Sequence, residues 1–199
     1  MGEWLDLTKP LDQSIEIYGE EGYRDPDFHT APWVGHAAQG FEVWQLSLGT
    51  QTGTHIDAPR HFDPAGATID ALSPDDCVGA YRLLRSGELG RCAEYEWTAT
   101  TAVVVDTRSE APMAPEAIEI LVECSPSLVV LIGEVLVAHR DPLLFHRKLA
   151  QAGKFLLEDT RCDIGTIPRE GRIVALPLRL VGLSGSPARL LLGKTVPDN

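Results

Sequence analysis

Two short apolar runs, Thr101-Ala-Val-Val-Val-Asp106 and Ser127-Leu-Val-Val-Leu-Ile-Gly133, constrain the fold of this chain more than any other feature. A strand with one wet face alternates polar and apolar residues. An unbroken run is what a strand covered on both faces looks like. Between the two lies Ala114–Glu123, whose apolar positions recur at helical spacing and whose Pro115 falls early, where a helix tolerates proline. Strand, helix, strand in that order predicts a parallel crossover. A second helix follows over Asp141–Gly153, with Asp141 as N-cap, Pro142 in the first turn and Gly153 as C-terminal cap, and then a strand over Lys154–Asp159. Further strands are predicted at Trp4–Thr8, at Phe41–Leu48, whose apolar and polar residues alternate as in a half-buried strand, and at Gly79–Leu84, Arg172–Leu180 and Ala188–Leu192, with a short irregular segment at Thr68–Cys77. The sum is an α/β or α+β domain with a mixed sheet. Glu16–Thr30 is rich in turn formers and aromatics and reads as a long loop, the kind that serves as a lid.

Composition excludes several classes. The 199 residues fit one domain, and 44% hydrophobic with 23% charged residues is globular, without an apolar run long enough to span a bilayer. The N-terminus, Met1-Gly-Glu-Trp-Leu-Asp, has neither the basic nor the apolar region of a secretory signal, so a soluble, cytoplasmic protein is expected. A net charge of −12 with no basic cluster argues against nucleic acid as a partner, because phosphate contacts need Lys and Arg gathered on one face. Cys77, Cys92, Cys124 and Cys162 are scattered, which fits buried thiols rather than a disulfide framework or a zinc ribbon.

Chemistry is concentrated in Gly49-Thr-Gln-Thr-Gly-Thr-His-Ile-Asp-Ala-Pro-Arg-His-Phe62. On an extended strand Gln51, Gly53, His55 and Asp57 project to one side, and Gly53 leaves room for a bulky neighbour. Pro59 cannot donate to a sheet ladder, so the strand ends there and His61 falls on the turn that follows. Imidazole and carboxylate together suit Zn²⁺ or Mn²⁺. His-x-Asp pairs also occur in ordinary hydrogen-bonded turns. Later in the chain, Glu158 ends an apolar strand, either solvated at its tip or paired with a cation, and His146 lies on an amphipathic helix, either on its polar face, satisfied in the core or ligating.

Together these residues resemble the cyclase family that includes bacterial kynurenine formamidases and isatin hydrolases. The family signature is H-x-G-T-H-x-D-x-P-x-H, against Gln51-Thr-Gly-Thr-His55-Ile-Asp57-Ala-Pro59-Arg-His61 here. Similarity extends to Trp4–Thr8, Val43–Thr50, His146 with Glu158 twelve residues on, Ala175–Leu180 and Gly185–Arg189. The resemblance implies the swivelling β/β/α architecture as a single domain over residues 1–199, assembled as a homodimer or homotetramer. It implies His55, Asp57, His146 and Glu158 as ligands of a divalent metal, Zn or Mn, and His61 as the acid or base. Gln51 stands where the family has its first metal histidine. An amide oxygen is a poorer donor to zinc than imidazole, so one ion rather than two is expected. The segment Thr107–Pro115 is short for the family, and Ile132–Arg140 lacks the aspartate and serine often found after the glycine.

The activity implied is hydrolysis of a small amide, an aryl formamide or a cyclic amide, by metal-activated water, with Trp33, Tyr23 and Phe28 shaping an aromatic substrate pocket. An alternative is a tailoring cyclase or dehydratase of natural-product, polyketide-type biosynthesis, which needs only a Lewis acid or an acid–base pair. A non-catalytic binding module fits less well, because a decayed site loses several of its polar residues rather than one.

Overall fold

The computed structural model describes residues 4–98, 100–108 and 112–194. Met1–Glu3 of the N-terminal reading and Ser109–Ala111 of the short segment lie outside them. In chain order the elements are β1 (Trp4–Asp6), β2 (Gly19–Glu20), β3 (Tyr23–Arg24), β4 (His29–Val34), the one-turn α1 (His36–Gln39), β5 (Val43–Ser47), β6 (His55–Asp57) and β7 (Val78–Arg85). They continue with β8 (Ala102–Asp106), α2 (Pro115–Cys124), β9 (Leu128–Ile132), α3 (Leu144–Gln151), β10 (Phe155–Glu158), β11 (Glu170–Pro177) and β12 (Gly185–Lys194).

The predicted crossover is present: β8 and β9 pair in parallel around α2, and β7 and β10 extend the parallel run on either side. Every residue of β9 is buried. Full burial of each such aliphatic side chain contributes about 1.5–3 kcal/mol, which is why an unbroken run stays in the sheet centre. Antiparallel strands complete the order β1-β12-β11-β7-β8-β9-β10-β6, and β12 pairs again with β6, so the mixed sheet closes on itself. One core fills the inside of this closed sheet, with Ile56, Leu83, Val104 and Leu157 in it. A second lies between the sheet and the helices, with Val103, Leu121, Phe145 and Leu156.

Helix α3 is shorter than its sequence punctuation predicts. Asp141 caps the turn ahead of it, its Oδ1 accepting from the Leu143 amide at 3.0 Å, while Gly153 takes the left-handed conformation (φ 70°) just past its end. The stretch read as a loop is partly ordered in strands: β2 and β3 form a hairpin inside Glu16–Thr30, and Trp33 belongs to β4. Strand β5 is not half-buried. Among the described residues it pairs only with β4, in a separate two-stranded sheet, and all five of its residues are exposed. The thiols also differ from expectation, because Cys162 is exposed. Burial pushes Cys77 up to about 11 and Cys92 up to about 12, so both stay protonated. Among the described residues no helix is long and apolar enough to cross a membrane.

Candidate metal centre

Strand β6 is three residues long because Gly53, at φ 61°, turns the chain just before it. The left-handed backbone favours glycine at position 53, where a Cβ would also meet the end of the flexible Leu11 side chain. The turn aims the Gly53 carbonyl at His55, whose Nδ1 donates to it at 2.7 Å. That bond commits Nδ1 as a donor and turns Nε2 toward the cluster. Alternation along the strand sends Ile56 into the barrel core and puts His55 and Asp57 on the other face.

Antiparallel pairing of β10 with β6 sets Glu158 directly opposite His55. One donor atom each from His55, Asp57 and Glu158 lies within 4.8 Å of the others. His55 Nε2 is 3.5 Å from Asp57 Oδ1 and 3.7 Å from Glu158 Oε1. His146, reaching down from α3, donates from Nε2 to Glu158 Oε2 at 3.1 Å. Thus three donors converge and His146 joins them through Glu158. Its Nδ1 is buried without a hydrogen-bond partner among the described residues. Two largely buried carboxylates whose ion pairs are to histidines, together with an orphaned imidazole nitrogen, form a mixed N/O donor set that fits a divalent cation.

The charges are tightly coupled. Burial works against protonation of His55, but the Asp57 hydrogen bond and the charges of Asp57 and Glu158 outweigh it and raise its pKa to about 9. His146 is likewise raised, with burial opposed by Glu158. Asp57 is lowered: burial would raise it, and His55, His61 and Gln51 more than compensate. In the metal-free protein at neutral pH, His55 therefore carries a proton on the nitrogen a metal would use. Uptake is expected to expel that proton, so that affinity weakens as pH falls below about 9. Calorimetric titrations in buffers of different ionisation enthalpy measure the release; no proton released at pH 7 would contradict it.

Gln51 lies off the strand, because the chain turns at Gly53. It reaches Asp57 from the preceding loop, Nε2 donating to Oδ1 at 3.2 Å while Oε1 accepts from Thr50 Oγ1 at 2.5 Å. In this arrangement Gln51 orients a carboxylate. Gly185 opposite makes room for it, since a Cβ there would sit 2.5 Å from the Gln51 amide nitrogen. His61 is exposed on the 3-10 turn Pro59–His61, close enough to influence Asp57. Phe62 links that turn to α3, its ring centroid 4.6 Å from His61 and 5.3 Å from His146. Of the three aromatic residues, Trp33 and Tyr23 are 75% and 56% exposed, while Phe28 is buried at 8%.

One supporting residue escaped sequence reasoning. Asp159, directly after Glu158, holds a left-handed conformation (φ 55°) that ends β10; its carboxylate pairs with Lys9 and its carbonyl accepts from Thr54 Oγ1 at 2.8 Å. Its one signal was a second carboxylate at a strand end.

The closed mixed sheet and this donor cluster define an α/β protein with a candidate divalent-metal centre at its strand ends. The chain belongs to the family described as "Putative cyclase", whose pattern matches residues 5–125. A kynurenine formamidase of Geobacillus thermodenitrificans (strain NG80-2) is 27% identical over 217 residues, covering 98% of this chain and 99% of the relative. The fold is that of isatin hydrolase A from Labrenzia aggregata, solved with benzyl benzoate, at a TM-score of 0.77 and 20% identity over 97% of this chain and 94% of that one. A structure described as a potential metal-dependent hydrolase with cyclase activity superposes at 0.71, with 24% identity and 98% of both chains covered.

Proposed function

We propose that this chain is a metal-dependent hydrolase that opens the C–N bond of a small amide, an aryl formamide or a cyclic amide. The observation that carries this reading is the convergence of His55, Asp57 and Glu158 within 4.8 Å in a chain of this family. A single Zn²⁺ or Mn²⁺ there would supply Lewis-acid polarisation of the amide carbonyl and of water. His55 and Asp57 would hold it from β6 and Glu158 from β10, with His146 completing the set or fixing Glu158. His61, exposed beside the cluster, would take the proton from water and deliver it to the leaving nitrogen. The test is hydrolysis of N-formylkynurenine and of isatin by the Zn²⁺- or Mn²⁺-loaded protein. Turnover that is lost on chelation and restored by metal is expected. No turnover of either compound at full metal occupancy would reject the reading.

One observation favours a second reading, a tailoring cyclase or dehydratase. Gln51 is held by hydrogen bonds at both ends rather than turned toward a cation. Ring closure can proceed with a weaker Lewis acid or with an acid–base pair, and activity that persists after chelation would favour it.

The crevice between Asp57, Phe62 and His146 measures only about 10 Å³, against the roughly 300 Å³ or more of an ordinary ligand pocket. Beside this, the β4–β5 arm exposes Trp33, Trp44 and Leu46. The proposal therefore includes a homodimer or homotetramer in which a second copy covers the arm and brings its aromatic residues to a neighbouring site. Sedimentation of Trp33→Asp combined with Leu46→Asp is expected to give a monomer; a wild-type assembly would exclude this contact.

A further inference from the structure

At the carboxyl ends of β7 and β8 a cavity of about 370 Å³ is lined by three arginines, Arg85, Arg108 and Arg169, together with Asp106, Gly165 and Thr166. We propose that this cavity binds a small oxyanion, a phosphate or the carboxylate of a metabolite, at a site separate from the metal centre. Its volume is that of a small-ligand pocket. Its charge is anomalous for this chain. Three arginines face Asp106 in the wall and Glu88 behind Arg169, an excess of one positive charge in a protein of net −12.

The arginines are held in place differently. Arg108 Nε and Nη2 donate to the two oxygens of Asp106, each at 2.9 Å, and Nη1 donates to the Ile164 carbonyl at 2.6 Å. Arg169 is held by Glu88, with Nη2 donating to Oε1 at 3.1 Å. Arg85 is exposed and makes no close ion pair among the described residues; its charge acts on Asp106 and Glu88 from a distance, and its planar fork can make bidentate contact with an oxyanion. Two anchored guanidiniums and one without a close ion pair line the cavity together with Thr166, whose side chain can donate a hydrogen bond.

Sheet geometry separates this cavity from the metal centre. Arg85 follows Leu83 by two residues and so shares its face, and Leu83 and Ile167 belong to the core inside the barrel. Glu158 follows Leu156 by two residues, and Leu156 packs in the core on the helix side. The two sites therefore lie at one end of the sheet but on opposite faces. They are also two strand spacings apart along it, β8 to β10, or roughly 10 Å.

The test is calorimetric titration of the full chain with inorganic phosphate and with malonate, at constant ionic strength in chloride. Saturable binding at one site is expected, weakened about tenfold or more by Arg85→Gln. Asp57→Asn, which alters the metal centre, is expected to bind the anion as the wild type does. Tighter phosphate binding identifies a phosphate ligand and tighter malonate a carboxylate one; either supports the site. Equal affinity in wild type and Arg85→Gln, loss of binding in Asp57→Asn, or heats that never saturate would each overturn it. Circular dichroism of Arg85→Gln, a change at an exposed position, establishes that any loss is not unfolding.

Discussion

Asparagine in place of Asp57 is expected to abolish metal uptake, weakening affinity by more than about 100-fold. The change keeps the size of the side chain and removes the charge, at a position where one carboxylate oxygen faces His55 Nε2 at 3.5 Å and accepts from Gln51. Elemental analysis and equilibrium dialysis with Zn²⁺ and Mn²⁺ measure the loss. Stoichiometric metal in Asp57→Asn would remove Asp57 from the ligand set. A second readout follows from the same contact: without its principal charge partner, the His55 imidazole should titrate lower than about 9 in the metal-free variant, as observed by NMR.

His61→Ala is expected to have the opposite signature. His61 is exposed on the turn after β6 and, among the described residues, no hydrogen bond ties it to the cluster, so metal content should be unchanged. Turnover should fall by about 10²–10⁴-fold, the usual contribution of a positioned acid–base group. The two variants thus separate holding the ion from moving the proton. Equal metal loss in both would make His61 a ligand and leave the acid–base role without an owner.

What could be read in the sequence was what local pattern determines. The aliphatic strands β8 and β9 and the helix between them carry their burial in their own composition. His55 and Asp57 share a face because strand periodicity says so. Their meeting with Glu158 depends on the register of β10 against β6, a non-local property that neither segment encodes alone. The likeness to known relatives bridged that distance where periodicity could not. Gln51 was assigned to the same strand face because alternation was carried back through Gly53, whose left-handed turn interrupts it. Strand β5 misled in another way: its alternation of apolar and polar residues is that of a strand with one buried side, yet among the described residues nothing covers either side. The hairpin β2–β3 was hidden because its glycines and acidic residues are equally the composition of a loop.

Strand β6 has one further property, which concerns the order in which the protein is made. Its two neighbours in the sheet are β10 and β12, both synthesised long after it, and the last of them also holds β1 on the same edge. The histidine and aspartate of the metal strand therefore leave the ribosome well before the segments that position them, and wait unpaired while the rest of the chain is translated. Ion binding belongs to the end of biogenesis. A polypeptide interrupted before Gly185 would keep every donor residue and still leave β6 with an open edge.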